Sequence, residues 1–117
     1  MNQHISGNVR DLGRTYKNGF PVLEIHVPIN RANGLPYQTG RRVPVNLNIN
    51  GIEYLAGLRS TSANGYVWIC PDIYRSRDER YTLGWVLTEA GYKANDSVQL
   101  LVKGKTLTVE RPWGDRE

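Results

Sequence analysis

The segment VPVNLNINGIEYLAGL, residues 43 to 58, leaves the backbone few choices. Val43, Val45, Leu47 and Ile49 alternate with Pro44, Asn46, Asn48 and Asn50, a period of two that gives an extended strand one apolar and one polar face. Asn50-Gly51 then interrupts the alternation. The two-residue turn that matches strand twist needs positive φ at both central positions, and Asn-Gly supplies it at little steric cost. The spacing predicts an antiparallel hairpin whose second arm runs from Ile52 to Leu58.

The flanking segments read in the same terms. Tyr66 to Cys70 follows the polar loop TSANG as a third strand, which Pro71 ends or bends. Strand alternation sends Val67 and Ile69 to the core and puts Tyr66, Trp68 and Cys70 on the other face. Phe20 to Ile29 is also strand-like, and Pro21 and Pro28 place it at an edge or a bend. Residues 30 to 42, NRANGLPYQTGRR, form a loop or irregular ribbon with turn signals at Asn33-Gly34 and Pro36. The polar opening, residues 1 to 19, reads as an extended lead-in. Leu83, Val86, Leu87 and Ala90 follow helical spacing, with Gly91 suited to the position just past the helix end. Trp85 is assigned to the core of that helix. Asp96 to Leu101 and Thr106 to Glu110 alternate about Lys103-Gly104-Lys105 as a second hairpin, and residues 111 to 117 read as a ragged tail containing Trp113. With 117 residues and 39% hydrophobic content, these elements predict one mainly β domain, a small barrel or sandwich.

Catalytic chemistry finds little to work with. The single cysteine, Cys70, excludes an internal disulfide or a CxxC site and reads as a structural thiol; His4 and His26 are too far apart to suggest a metal site. Phosphate-loop, dinucleotide and zinc-protease signatures are absent. Asp72, Asp78 and Glu79 precede the helix and read as acids that favour its N-terminal dipole. The chain is expected to be non-catalytic, with no cofactor and no metal. No run of about eighteen apolar residues occurs, and the first residues lack a signal peptide's apolar centre, so a soluble, cytoplasmic protein is expected.

Charge is more informative. The formal net charge is +4, but between Ile25 and Pro71 the only acid is Glu53, while Arg31, Arg41, Arg42 and Arg59 all lie there. That distribution suits a phosphate-facing side. Two acid-free segments combine arginines with side chains able to reach base edges. The first offers Arg31, Asn33, Gln38, Thr39, Arg41 and Arg42; the second offers Arg59, Thr61, Ser62, Asn64, Tyr66 and Trp68.

The order of a hairpin, RSTSANGYVWICP, a short helix and NDSVQLLVKG resembles the B3-like DNA-binding pseudobarrel. That fold occurs in plant transcription factors and in effector or target-recognition domains of restriction endonucleases of the EcoRII and BfiI type. The resemblance implies an open seven-stranded pseudobarrel with one or two short helices, gripping the major groove of double-stranded DNA with two arms. The arms would fall within Arg31 to Arg42 and Arg59 to Trp68. It also implies a monomeric recognition domain in the prokaryotic cytosol, with any nuclease domain on the same or a partner chain. Two rival readings come from the residues alone: a protein-interaction module with no nucleic-acid partner, and a small hydrolase using Asp72 or Glu79.

Overall fold

The computed structural model describes residues 3–112, so of the expected tail residues 113 to 117, Trp113 among them, lie outside the described residues. The described residues form nine strands: β1 (Gln3–Thr15), β2 (Pro21–Pro28), β3 (Val43–Ile49), β4 (Ile52–Ser60), β5 (Tyr66–Ile69), β6 (Asp72–Ser76), β7 (Glu79–Thr82), β8 (Ser97–Lys103) and β9 (Thr106–Glu110). A single α-helix, α1 (Leu83–Glu89), and a 3-10 turn at Ile29–Arg31 complete them. The fold is mainly β, and seven of the strands make a barrel.

The predicted hairpin is the joint of that barrel. Asn50 (φ 54°) and Gly51 (φ 84°) both adopt the left-handed conformation the turn demands. The turn fixes β3 against β4 in register from Val43↔Leu58 to Ile49↔Ile52. Neighbouring strands then run in the order β3, β9, β8, β1, β2, β5, β4, and the β3–β4 ladder joins the last to the first. The ring is therefore closed where an open one was expected. Its one parallel pairing lies between β3 and β9, at Asn46↔Thr106, Leu47↔Leu107 and Asn48↔Thr108.

Strand alternation fills the interior. Val9, Leu23, Ile25, Leu47, Val67, Ile69, Leu100 and Leu107 are at most 1% exposed and belong to one apolar cluster. Val67 and Ile69 point inward as predicted, and Tyr66 and Trp68 stay half-buried on the outside. α1 adds Leu83, Val86 and Leu87 to the same core. The Thr82 side chain caps it by accepting from the Trp85 N–H at 3.2 Å, and Gly91 (φ 92°) terminates it.

Four expectations are corrected. The opening segment is no lead-in: β1 pairs with β8 along its first half and with β2 along its second, placing it inside the ring. Its polar residues face out, while Ile5, Gly7 and Val9 alternate inward. β2 is not an edge strand, because Pro21 and Pro28 sit only at its ends and the residues between them ladder to β1 and β5. Asp72 and Glu79 lie in a β6–β7 hairpin with Asp78 in its turn, and the first turn of α1 holds no acid. Trp85 is 37% exposed on the helix face away from the core and stacks on Tyr81, with ring centroids 5.9 Å apart.

Gly84 shows how closely the helix sits on the barrel. A methyl group at this position would strike the Pro21 carbonyl oxygen, a backbone atom that cannot swing aside. Gly84→Ala is expected to destabilise the fold by about 1–3 kcal/mol, despite the better helix propensity of alanine. Urea unfolding of the variant checks this; a gain in stability would show that the helix packs with slack.

Candidate nucleic-acid interface

Barrel closure decides which side chains face solvent. Consecutive pairings align Asn8 of β1 with His26 of β2, His26 with Trp68 of β5, and Trp68 with Arg59 of β4. The residues on either side of each, such as Ile25, Val27, Val67, Ile69 and Leu58, fill the interior. The four side chains thus make one lateral row on the outer surface. The His26 ring stacks on Tyr66, with centroids 4.1 Å apart and planes 12° from parallel, and Tyr66 meets Trp68 edge to face at 5.5 Å. The His26 Nε2–H donates to Glu24 Oε1 at 2.8 Å, and both side chains are largely buried. Burial makes that carboxylate dependent on its partner.

Beside the row lies an open cavity of about 490 Å³, lined by Arg42, Arg59, Trp68, Cys70, Pro71, Asp72 and Tyr74. The Arg42 guanidinium lies over the backbone of Gly57, two residues before Arg59 on β4; a side chain at 57 would collide with it. Gly57 also accepts from the Cys70 N–H at 3.0 Å. Burial pushes the Cys70 thiol up from its ordinary pKa, while Arg42 and Arg59 pull it back and Glu24 adds to the rise. The net direction disfavours the thiolate, which is the nucleophilic form.

The two predicted arms are fastened to one another. Ile29 N–H donates to the Gly65 carbonyl at 2.9 Å, and Gly40 N–H donates to the Ser60 carbonyl at 2.7 Å. The first arm is therefore tied to both ends of the second arm's loop. Ala32 and Leu35 root it in the core, at 0% and 6% exposure. Its tip is a tight turn in which Arg41 N–H donates to the Gln38 carbonyl at 3.2 Å and Gly40 takes a φ of 81°.

The sequence-predicted residues fall into groups. Arg42, Arg59 and Trp68 share the 490 Å³ cavity. Gln38, Arg41 and Arg42 line an adjoining groove with Lys105, so Arg42 belongs to both. Tyr66 lines a third hollow with Asn8, Arg10 and His26. Arg31, Asn33, Thr39, Thr61, Ser62 and Asn64 lie on the loops around these, all exposed except the half-buried Asn64. Of the hydrolase candidates, Asp72 faces Arg80 at 3.9 Å and Glu79 is exposed. Sequence reading missed Asn8, Arg10, Glu24, His26 and Tyr74. The alternation of PVLEIHVP was the available signal for Glu24 and His26, since Leu23, Ile25 and Val27 take the inward phase.

The electrostatic balance of this surface is positive. Among the described residues, Arg10, Arg31, Arg41, Arg42 and Arg59 have no carboxylate within 4.0 Å. The buried Glu24 is engaged by His26 and the half-exposed Asp72 by Arg80. Guanidiniums without a carboxylate partner, set beside half-buried aromatic rings on the outer face, can hold phosphates and stack on bases.

Two outcomes test the geometry itself. Gly57→Ala should keep or slightly raise the melting temperature, because only the flexible end of Arg42 must move and φ at 57 is not positive. The Arg42 Nε–H signal in a nitrogen–proton correlation spectrum should shift; a loss above about 1 kcal/mol would show that Arg42 cannot yield. Burial also raises Tyr16 and Tyr54. Acids whose folded pKa is raised contribute stability that is complete below their unfolded pKa and lost as pH rises through the folded value. Stability by urea unfolding should therefore fall as pH climbs above about 8.5 for Cys70 and about 10 for the tyrosines. Cys70→Ser should remove the first part of the fall, and a flat profile to pH ~11 would contradict it.

Comparison with known proteins adds no relative: no family model matches the chain, and neither a curated protein nor a solved structure does.

Proposed function

We propose that the chain is a sequence-specific double-stranded DNA-binding domain that acts by recognition without chemistry of its own. The observation that carries this reading is the cluster of arginines without acidic partners among the described residues, set around two loops tied together at both ends. Arginines would contact phosphates and fix the register of the barrel on the duplex. Loop side chains such as Gln38, Thr39, Thr61, Ser62 and Asn64 would reach base edges in the major groove, which admits a pair of strands or a comparable projection. This is the division of labour expected of a B3-like effector domain of a restriction endonuclease, and a prokaryotic cytosolic location goes with it. No helix among the described residues is long and apolar enough to cross a membrane.

A second reading, a protein-interaction module, draws on Ile52, Leu55 and Trp85, which expose apolar surface at 39%, 51% and 37%. Salt separates the two. Counterion release makes duplex affinity fall steeply with ionic strength, whereas apolar docking does not require that fall.

The test is anisotropy titration of a randomised duplex pool at two salt concentrations, followed by sequencing of the bound fraction. A short enriched motif is expected. Arg42→Ala should weaken binding to every sequence and lower the salt slope by about 1, and Asn64→Ala should relax selectivity at one position, worth about 1–3 kcal/mol there. Absence of binding even at low salt would sink the DNA reading and favour the interaction module.

A further inference from the structure

The 490 Å³ cavity beside the Arg59–Trp68 pair is more than a phosphate-contacting surface. Its volume lies within the ~300–1,000 Å³ typical of small-molecule sites. It combines three chemistries in one concavity. Trp68 and Tyr74 supply aromatic faces, Arg42 and Arg59 supply two guanidiniums, and Asp72 supplies a carboxylate. Pro71 and the buried Cys70 thiol complete the lining without adding charge.

We propose that this cavity takes a single nucleotide, its base against Trp68 and Tyr74 and its phosphate on Arg42 and Arg59. Stacking on aromatic rings accepts any base, and guanidiniums match phosphate geometry. Asp72 then discriminates. Its Oδ1 is 3.9 Å from Arg80 Nη1 and the side chain is about half exposed, at 49%, which leaves an oxygen to accept from an amino group on the base. Cytosine, adenine and guanine carry such a donor and thymine does not, so the site favours the amino-bearing bases. The strand pairings bring these groups together: Trp68 pairs across the ladder with Arg59, Arg42 rests on Gly57, and Tyr74 is placed by the Leu55↔Tyr74 pairing of β6 with β4. Two sources present the same chemistry, a nucleotide extruded from a duplex or a free mononucleotide. The proposal rests on the DNA reading only for the first of them.

Calorimetric titration of the full chain with dCMP, dAMP, dGMP and dTMP, together with emission from a duplex carrying 2-aminopurine, tests the site. Binding of dCMP, dAMP and dGMP in preference to dTMP is expected. Tyr74→Ala should weaken it at least about five-fold, and Tyr74→Phe, which keeps the ring, should restore it. Asp72→Ala should erase the preference over dTMP while leaving the remaining affinity. A rise in 2-aminopurine emission on duplex binding, lost in Tyr74→Ala, identifies an extruded nucleotide as the source. Mononucleotide binding without that rise identifies the free nucleotide. Duplex binding with a silent 2-aminopurine and no mononucleotide binding at millimolar concentration overturns the pocket and leaves the DNA reading standing. Mononucleotide binding without duplex binding does the reverse. Affinity for mononucleotides unchanged in Tyr74→Ala also overturns the proposal.

Discussion

The barrel depends on β3, the strand laddered to both ends of an otherwise open sheet. On one side it meets β4 through the tightest connection a hairpin allows, and on the other it meets β9 in parallel over three residue pairs. Without β3, β4 and β9 would each present an unpaired edge, the arrangement that invites association with other chains. Asn46 N–H donates to the Lys105 carbonyl at 2.8 Å and the Asn48 side chain donates to Thr108 Oγ1 at 3.4 Å. Asn48, from the polar half of the β3 alternation, thus adds a side-chain bond to the backbone bonds of the parallel seam. The turn sets the register of the whole ring, because a slip of one residue would carry Val45, Leu47 and Ile49 to the solvent side.

Closure also moves the functional possibilities outward. A small barrel fills its interior with side chains, and this one packs Leu23, Leu47, Leu100 and Leu107 there at 0% exposure. What remains available is the outer pleat and the loops, and register determines what stands on that pleat. The Asn8, His26, Trp68 and Arg59 row follows from four strands whose inward phases are fixed by Val9, Ile25, Val67 and Leu58.

Local signals were legible in the sequence where one residue or one period decides the outcome. Asn50-Gly51 specified its turn because backbone sterics leave it few competitors, and Leu83, Val86 and Leu87 specified a buried helix face. The strand at Tyr66 and the hairpin about Gly104 followed from alternation in the same way. The first strand was not legible. Its thirteen residues are mostly polar, and only pairing with β2 and β8 makes them a strand. That pairing is a tertiary fact with little local signature. The β6–β7 hairpin was hidden by its charged turn, whose acids suit a helix start equally well when read alone. Of the site, the two arms were legible as arginine-bearing, acid-free segments. Their fastening at Ile29 to Gly65 and Gly40 to Ser60 was not, since backbone hydrogen bonds between loops leave no trace in side-chain identity.

Under the proposed reading, the supports beneath the arginines and the readers differ in a way that matches their tasks. Arg59 is held by ladder pairing with Trp68 and by its approach to the Cys70 sulfur, and Arg42 lies against the bare backbone of Gly57. These positions are set by the barrel itself. Gln38, Thr39, Thr61 and Ser62 instead stand exposed at loop tips, adjustable in rotamer while their backbones are clamped at the roots. Phosphate contacts repeat at every step of a duplex, so guanidiniums whose stems start from the barrel wall can hold it there while their ends adapt. Base contacts change from site to site, so side chains that can turn within a fixed loop are the ones suited to read them. A surface built the other way, with its readers on the barrel wall and its arginines only on loop tips, would lose register before specificity could act.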